Sequence, residues 1–113
     1  LLANLAASSG ATNGMNAGSL LGFDTTNAAG GTFTIADALA DTTGAAGGAR
    51  GLTKLGTQTL ALTTANTYTG PTRVNAGTLS FAVTGALPTG SPVTLNGGTV
   101  AVAAGTTNGS DTG

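Results

Sequence analysis

A chain of 113 residues is at most one domain. Thr, Ala and Gly supply 64 of its residues, Cys, His, Trp and Glu are absent, and three cations (Arg50, Lys54, Arg73) stand against four anions (Asp24, Asp37, Asp41, Asp111). The usual zinc, haem and iron–sulfur ligand sets are thereby excluded, as is a basic stripe for nucleic acid. Only 6% of residues are charged, and disorder generally comes with high charge. The expectation is a chain that packs in thin layers, with backbone hydrogen bonds in place of a thick apolar core.

In chain order, Leu1-Leu2-Ala3-Asn4-Leu5 reads as a short capping helix or a frayed end. It is also like the end of a signal h-region, without initiator Met or basic n-region. The expectation is a chain that begins after processing, or a fragment. No stretch approaches the roughly 18 apolar residues of a membrane helix. Thr32-Phe33-Thr34-Ile35 reads as a strand. Residues 35–41 are then expected to form a bend near Asp37 and another short strand, because a seven-residue helix is marginal.

Repetition dominates the remainder. Gly-Thr pairs at 31, 56, 77 and 98 each open a short alternating segment, and the last three starts lie 21 residues apart. At that interval Leu60 maps to Phe81 and Val102, Leu62 to Val83, Leu79 to Val100, Val74 to Leu95, and Asn75 to Asn96. Apolar residues alternate within each copy, so every second side chain points inward. Asn and Gly at 75–77 and 96–98 break each strand at a corner, where positive φ costs them least. Asn-Gly alone would also suit a hairpin. An identical corner and strand at a fixed interval instead predicts an all-β parallel solenoid of about 21 residues per rung. The predicted inner ladder is Leu60, Leu62, Val74, Leu79, Phe81, Val83, Leu95, Val100 and Val102, with Ser80 and Ala101 outward. Residues 1–30 form a cap or subunit-contact segment, 31–105 the solenoid, and 106–113 a tail or link in this reading. Leu1, Leu2 and Leu5 are the candidate assembly contacts.

The segment GLTKLGTQTLALTTANTYTGPTRVNAGTLSF (51–81) resembles the autotransporter-associated β-strand repeat of secreted bacterial passenger proteins. The match lies in the order of Leu-Thr-Lys, a Gly-Thr strand, Ala-Asn-Thr-Tyr-Thr-Gly and Asn-Ala-Gly-Thr-Leu. Residues 20–44 look like the segment that often precedes this phrase. Pro71 stands where the family commonly has Gly or Ser, which stiffens that corner. The resemblance implies a right-handed parallel β-helix, displayed at or released from the surface of a Gram-negative-type cell. It implies a role in structure and secretion and not in catalysis.

No catalytic, cofactor or metal residue is assigned, and no cofactor is expected. Asp37 and Asp41 are a close carboxylate pair, and some β-helix enzymes cleave polysaccharides with clustered Asp. No base or cationic subsite accompanies the pair, so both read as solvated loop residues. Calcium on Asp24, Asp37 or Asp41 is weighed against the missing Gly- and Asp-rich nonapeptide of calcium-binding β-rolls. Thr32/Thr34, Thr57/Thr59 and Thr67/Thr69 suggest an ice- or glycan-facing array, with Thr57, Thr78 and Thr99 in one register. Thr is also an ordinary strand residue. Lys54 reads as a surface lysine at a strand start. Phe23 and Tyr68 are either glycan-stacking residues or covers for the end of a core. Asn108-Gly109-Ser110 fits a glycosylation sequon. The partners expected are copies of the chain or adjoining solenoid repeats, with glycan left open and neither nucleic acid nor membrane insertion expected. The leading reading is a segment of an extracellular fibre or adhesin stalk that stacks end to end. A glycan- or ice-binding adhesin stands second, and an enzyme third.

Overall fold

The computed structural model describes residues 16–43 and 46–103. Eight strands follow one another: β1 (Leu20–Asp24), β2 (Thr32–Ile35), β3 (Gly51–Leu55), β4 (Thr59–Leu62), β5 (Thr72–Val74), β6 (Thr78–Phe81), β7 (Val93–Leu95) and β8 (Thr99–Val102). They form two four-stranded sheets, ordered β1-β3-β5-β7 and β2-β4-β6-β8. Every pairing is parallel. The chain therefore alternates between sheets and adds one strand to each per turn, which is the pattern of a β-solenoid. Among the described residues there are four such rungs. β2 occupies 32–35 as the alternation predicts, but the short strand expected after Asp37 does not form.

The corner between sheets is constant. Residues 56–58, 75–77 and 96–98 each make it in three residues. Gly56 (φ +79°) and Gly77 (φ +65°) adopt backbone that side-chain-bearing residues rarely enter. Space enforces the choice at Gly77, where a Cβ would strike the carbonyl oxygens of Gln58 and Gly56 and lie 2.8 Å from Lys54 Nζ.

The return loops vary in length, and this corrects the register. Leu60 stacks on Leu79 and Leu62 on Phe81, a step of 19 residues and not 21. The next step, Leu79 on Val100 and Phe81 on Val102, is 21. The loop at 63–71 is two residues shorter than the loop at 82–92. A two-residue slip leaves the inward phase unchanged, because side chains alternate with period two. The first turn is longer still, with Thr32 stacked on Thr59 and Leu20 on Gly51. β1 lies inside the stretch expected as a cap, yet pairs with β3 along its whole length.

Leu52 and Val74 from one sheet meet Leu60, Leu62, Leu79 and Phe81 from the other, all at most 1% exposed. Burying each such side chain contributes roughly 1.5–3 kcal/mol. Leu39, Tyr68, Ala86 and Leu87 close the interior from the return loops. Those loops stack as well: Thr67 N–H donates to Leu39 O at 2.8 Å and Asn66 N–H to Gly85 O at 2.9 Å. Three residues expected inside are exposed: Val83 (37%), Leu95 (54%) and Val102 (44%). Val83 falls beyond the end of β6, in the return loop. Leu95 and Val102 keep the inward phase but sit on β7 and β8, which no described strand covers. Val100 is partly buried for the same reason. Leu1, Leu2 and Leu5 lie outside the described residues, as do Asp111 and Asn108–Ser110.

Candidate functional site

The solenoid interior is more polar than its apolar ladders suggest. In β3, Lys54 shares the phase of Leu52, so the alternation that buries one buries the other. The expected surface lysine is 0% exposed. Its ammonium donates to the carbonyls of Leu55 and Gly56, both at 2.7 Å, and of Ala76 at 3.2 Å. Those oxygens belong to the corners of two successive rungs, so Lys54 ties one to the next. Burial pushes its pKa below the usual lysine value, opposed by the charge of Asp24.

Across the interior, Tyr68 is 1% exposed and its hydroxyl meets Thr72 Oγ1 at 2.7 Å. Thr72 Oγ1 meets Ser91 Oγ at 2.9 Å, and Ser91 Oγ donates to Gly70 O at 2.8 Å. Burial raises the Tyr68 phenol to about 12, with the hydrogen bonds of Thr72 and Ser91 opposing. Tyr68 thus lies within the stack and offers no ring to a glycan. Asn66 joins three return loops: its Oδ1 accepts from Leu39 N–H at 2.8 Å and its Nδ2 donates to Ala86 O at 2.7 Å.

The carboxylates are scattered into separate tasks. Asp41 Oδ1 accepts from Thr69 N–H at 2.7 Å and Arg50 N–H at 3.1 Å, and Asp41 Oδ2 from Thr69 Oγ1 at 2.6 Å. Burial works to raise its pKa, but these bonds outweigh it and hold the carboxyl below its usual value. Asp37 is exposed. Asp24 Oδ1 accepts from Thr26 N–H (2.9 Å) and Thr26 Oγ1 (2.6 Å), and the Thr26 hydroxyl lowers its pKa. Among the described residues no three His, Cys, Asp or Glu side chains gather as a metal site. Arg50 is 1% exposed, and neither terminal guanidinium nitrogen has a hydrogen-bond partner. Burial lowers its pKa and the charge of Asp41 opposes the shift.

Two surfaces remain as candidates for contact. On the outer face of the second sheet, Thr32, Thr59, Thr78 and Thr99 form one continuous row. Thr59 takes the place expected for Thr57, because the corner ends one residue before Thr59. Beside the row stand Thr34, Ala61, Ser80 and Ala101, so the face is uncharged and small. The other surface is an open cavity of about 350 Å³ lined by Asp24, Thr25, Thr26, Asn27, Ala28 and Phe33. Phe33 is half exposed there and its ring stacks on Phe23, with centroids 6.5 Å apart.

Comparison with known proteins adds one finding. Residues 52–81 match the family described as Passenger-associated-transport-repeat. The matched stretch runs from Leu52 in β3 to Phe81 at the end of β6 and contains Lys54, Asn66, Tyr68, Thr72 and Gly77. No curated protein and no solved structure matches the chain significantly.

Proposed function

We propose, from the passenger-associated-transport-repeat at residues 52–81, that this chain is a segment of a rigid extracellular β-solenoid, the shaft of a bacterial fibre or adhesin stalk. Such a repeat implies a secreted or cell-surface protein. We place it at the outer surface of a Gram-negative-type cell, as a right-handed β-helix without catalytic function. Right-handedness follows the general preference of parallel strand–crossover–strand units.

The observation that carries the reading is where the polar side chains go. Lys54, Asn66, Asp41 and the Tyr68–Thr72–Ser91 chain each bond across successive rungs. Their hydrogen-bonding capacity is turned inward, to the stack. A rod of this kind resists bending and proteolysis because each rung is bonded to its neighbours through two sheets and its return loops. The test is single-molecule pulling on the chain held between handle domains, with limited proteolysis beside it. The expected record is rung-by-rung or cooperative unfolding at forces typical of β-sheet proteins, with little cleavage before it. Extension without a force peak, or rapid cleavage throughout 50–81, overturns the reading.

A second reading, glycan adhesion, draws on the cavity at Phe33, where an aromatic face adjoins the Asp24 carboxylate and Asn27. Binding of a panel of neutral glycans that is lost in Phe33→Ala would favour it over a purely structural role.

A further inference from the structure

Each rung stacks on the next through the same two strand positions, so the two ends of the stack are the two halves of one interface. At one end, β1 and β2 present Leu21, Phe23 and Phe33 in the inward phase. At the other, β7 and β8 present Val93, Leu95, Val100 and Val102 in that same phase. The equivalent ladder positions between them include Leu52, Leu60, Val74 and Leu79, all at most 1% exposed. The terminal residues are exposed because the described stack stops there. Each terminal strand also presents a row of backbone donors and acceptors. Sheet edges are ordinarily guarded by charge, bulges or proline. Among the residues of β1, β2, β7 and β8 there is one charge, Asp24, and no proline.

We infer that a second copy of this chain stacks head to tail on the first, its β1 on β7 and its β2 on β8. The inference rests on the rod reading and names the rod's partner. Continuing the existing registers fixes the contacts. The ladder Leu21–Leu52–Thr72–Val93 carries Val93 onto Leu21 of the second copy, and hence Leu95 onto its Phe23. The row Thr32–Thr59–Thr78–Thr99 carries Thr99 onto Thr32 of the second copy, Val100 onto its Phe33 and Val102 onto its Ile35. Aliphatic groups of one end thus meet aromatic groups of the other. The lone charge is accommodated, since Asp24 of the second copy faces Asn96. That amide already donates to Asn75 Oδ1 at 3.0 Å and has a second hydrogen to offer. The contact is heterologous and does not close on itself, so further copies extend a filament.

The chain has no Cys, which permits a direct test. Thr32→Cys and Thr99→Cys place thiols on the outer face of opposite ends. Across a stacked contact their Cα atoms are about 4.8 Å apart, within disulfide range. Oxidising an equimolar mixture of the two variants is expected to give dimers, while either variant alone stays monomeric. A chain with both substitutions is expected to give a ladder of oligomers. Adding Leu95→Asp to Thr99→Cys is expected to cut dimer yield at least tenfold with the far-UV circular dichroism retained. Absence of dimer in the mixture overturns the inference and shows the ends to be free or covered by the chain's own terminal residues. Dimers from either single variant alone also overturn it, because they report symmetric end pairing. A protease-resistant chain that stays monomeric leaves the rod reading standing, whereas early cleavage through 50–81 defeats both.

Discussion

Lys54→Met keeps most of the aliphatic stem and removes the ammonium. In the wild type that group donates to three carbonyls, of Leu55, Gly56 and Ala76. Leu55 O also accepts from Thr25 N–H at 3.0 Å and Thr25 Oγ1 at 3.2 Å, so it stays paired in the variant. The carbonyls of Gly56 and Ala76 lose the ammonium. A buried polar group without a partner costs roughly 1–3 kcal/mol, so the two together cost about 2–6 kcal/mol. Removing a charge that burial already disfavours offsets part of this. The net destabilisation is about 2–4 kcal/mol, which at ~4–8 °C per kcal/mol for a domain of this size lowers Tm by about 10–25 °C. Urea unfolding followed by far-UV circular dichroism measures it, with thermal melts beside it. Lys54→Arg is expected to do no better, because a planar guanidinium does not fit a pocket shaped by three converging carbonyls and closed by Gly77. A Lys54→Met variant within about 0.5 kcal/mol of wild type would show that the lysine is incidental, and the argument for a polar seam between rungs would fail with it.

Phe81→Ala removes a fully buried ring at the centre of a four-strand ladder and is expected to cost about 3–5 kcal/mol in the same urea assay; a loss under 1 kcal/mol would mean the interior collapses around the hole. Gly77→Ala combines a positive φ with a Cβ directed at two carbonyls, so it is expected to destabilise more than an exposed Gly→Ala at Gly90, where φ is also positive but space is open. The Asp41 pKa is lower folded than unfolded, so its contribution is present above the unfolded value of 3.8 and lost as pH falls through the folded value. Asp41→Asn should therefore flatten the acid limb of stability against pH; an unchanged limb would assign acid unfolding to other carboxylates. Tyr68 has the opposite sign: its pKa is raised from 10.0 to about 12, so its contribution is intact below pH 10 and lost as pH rises toward 12, and Tyr68→Phe should remove that alkaline fall.

Much of this architecture is legible in the sequence, because side-chain alternation is a property of each strand alone. Leu79, Ser80, Phe81 and the Asn-Ala-Gly corner announce a strand, its inward phase and its turn before any partner is known. The family match at 52–81 agrees with the order of residues from Leu52 to Phe81. Lys54 was legible by the same rule, since it shares the phase of Leu52. Charge argued for the surface instead, because the carbonyls of Gly56 and Ala76 converge on the ammonium only after two corners stack. Tyr68 is similar, as its partner Ser91 lies 23 residues further along the chain.

Which residue lies on which is decided by tertiary structure. Leu60 meets Leu79 and not Phe81 because the loop at 63–71 is two residues short, and a slip of two leaves no trace in a pattern of period two. Exposure is likewise settled by place in the stack. Val74 and Leu95 occupy the same position of successive rungs, yet one is fully buried and the other more than half exposed. Alternation determines the direction in which a side chain points, while burial requires a neighbouring rung to cover it.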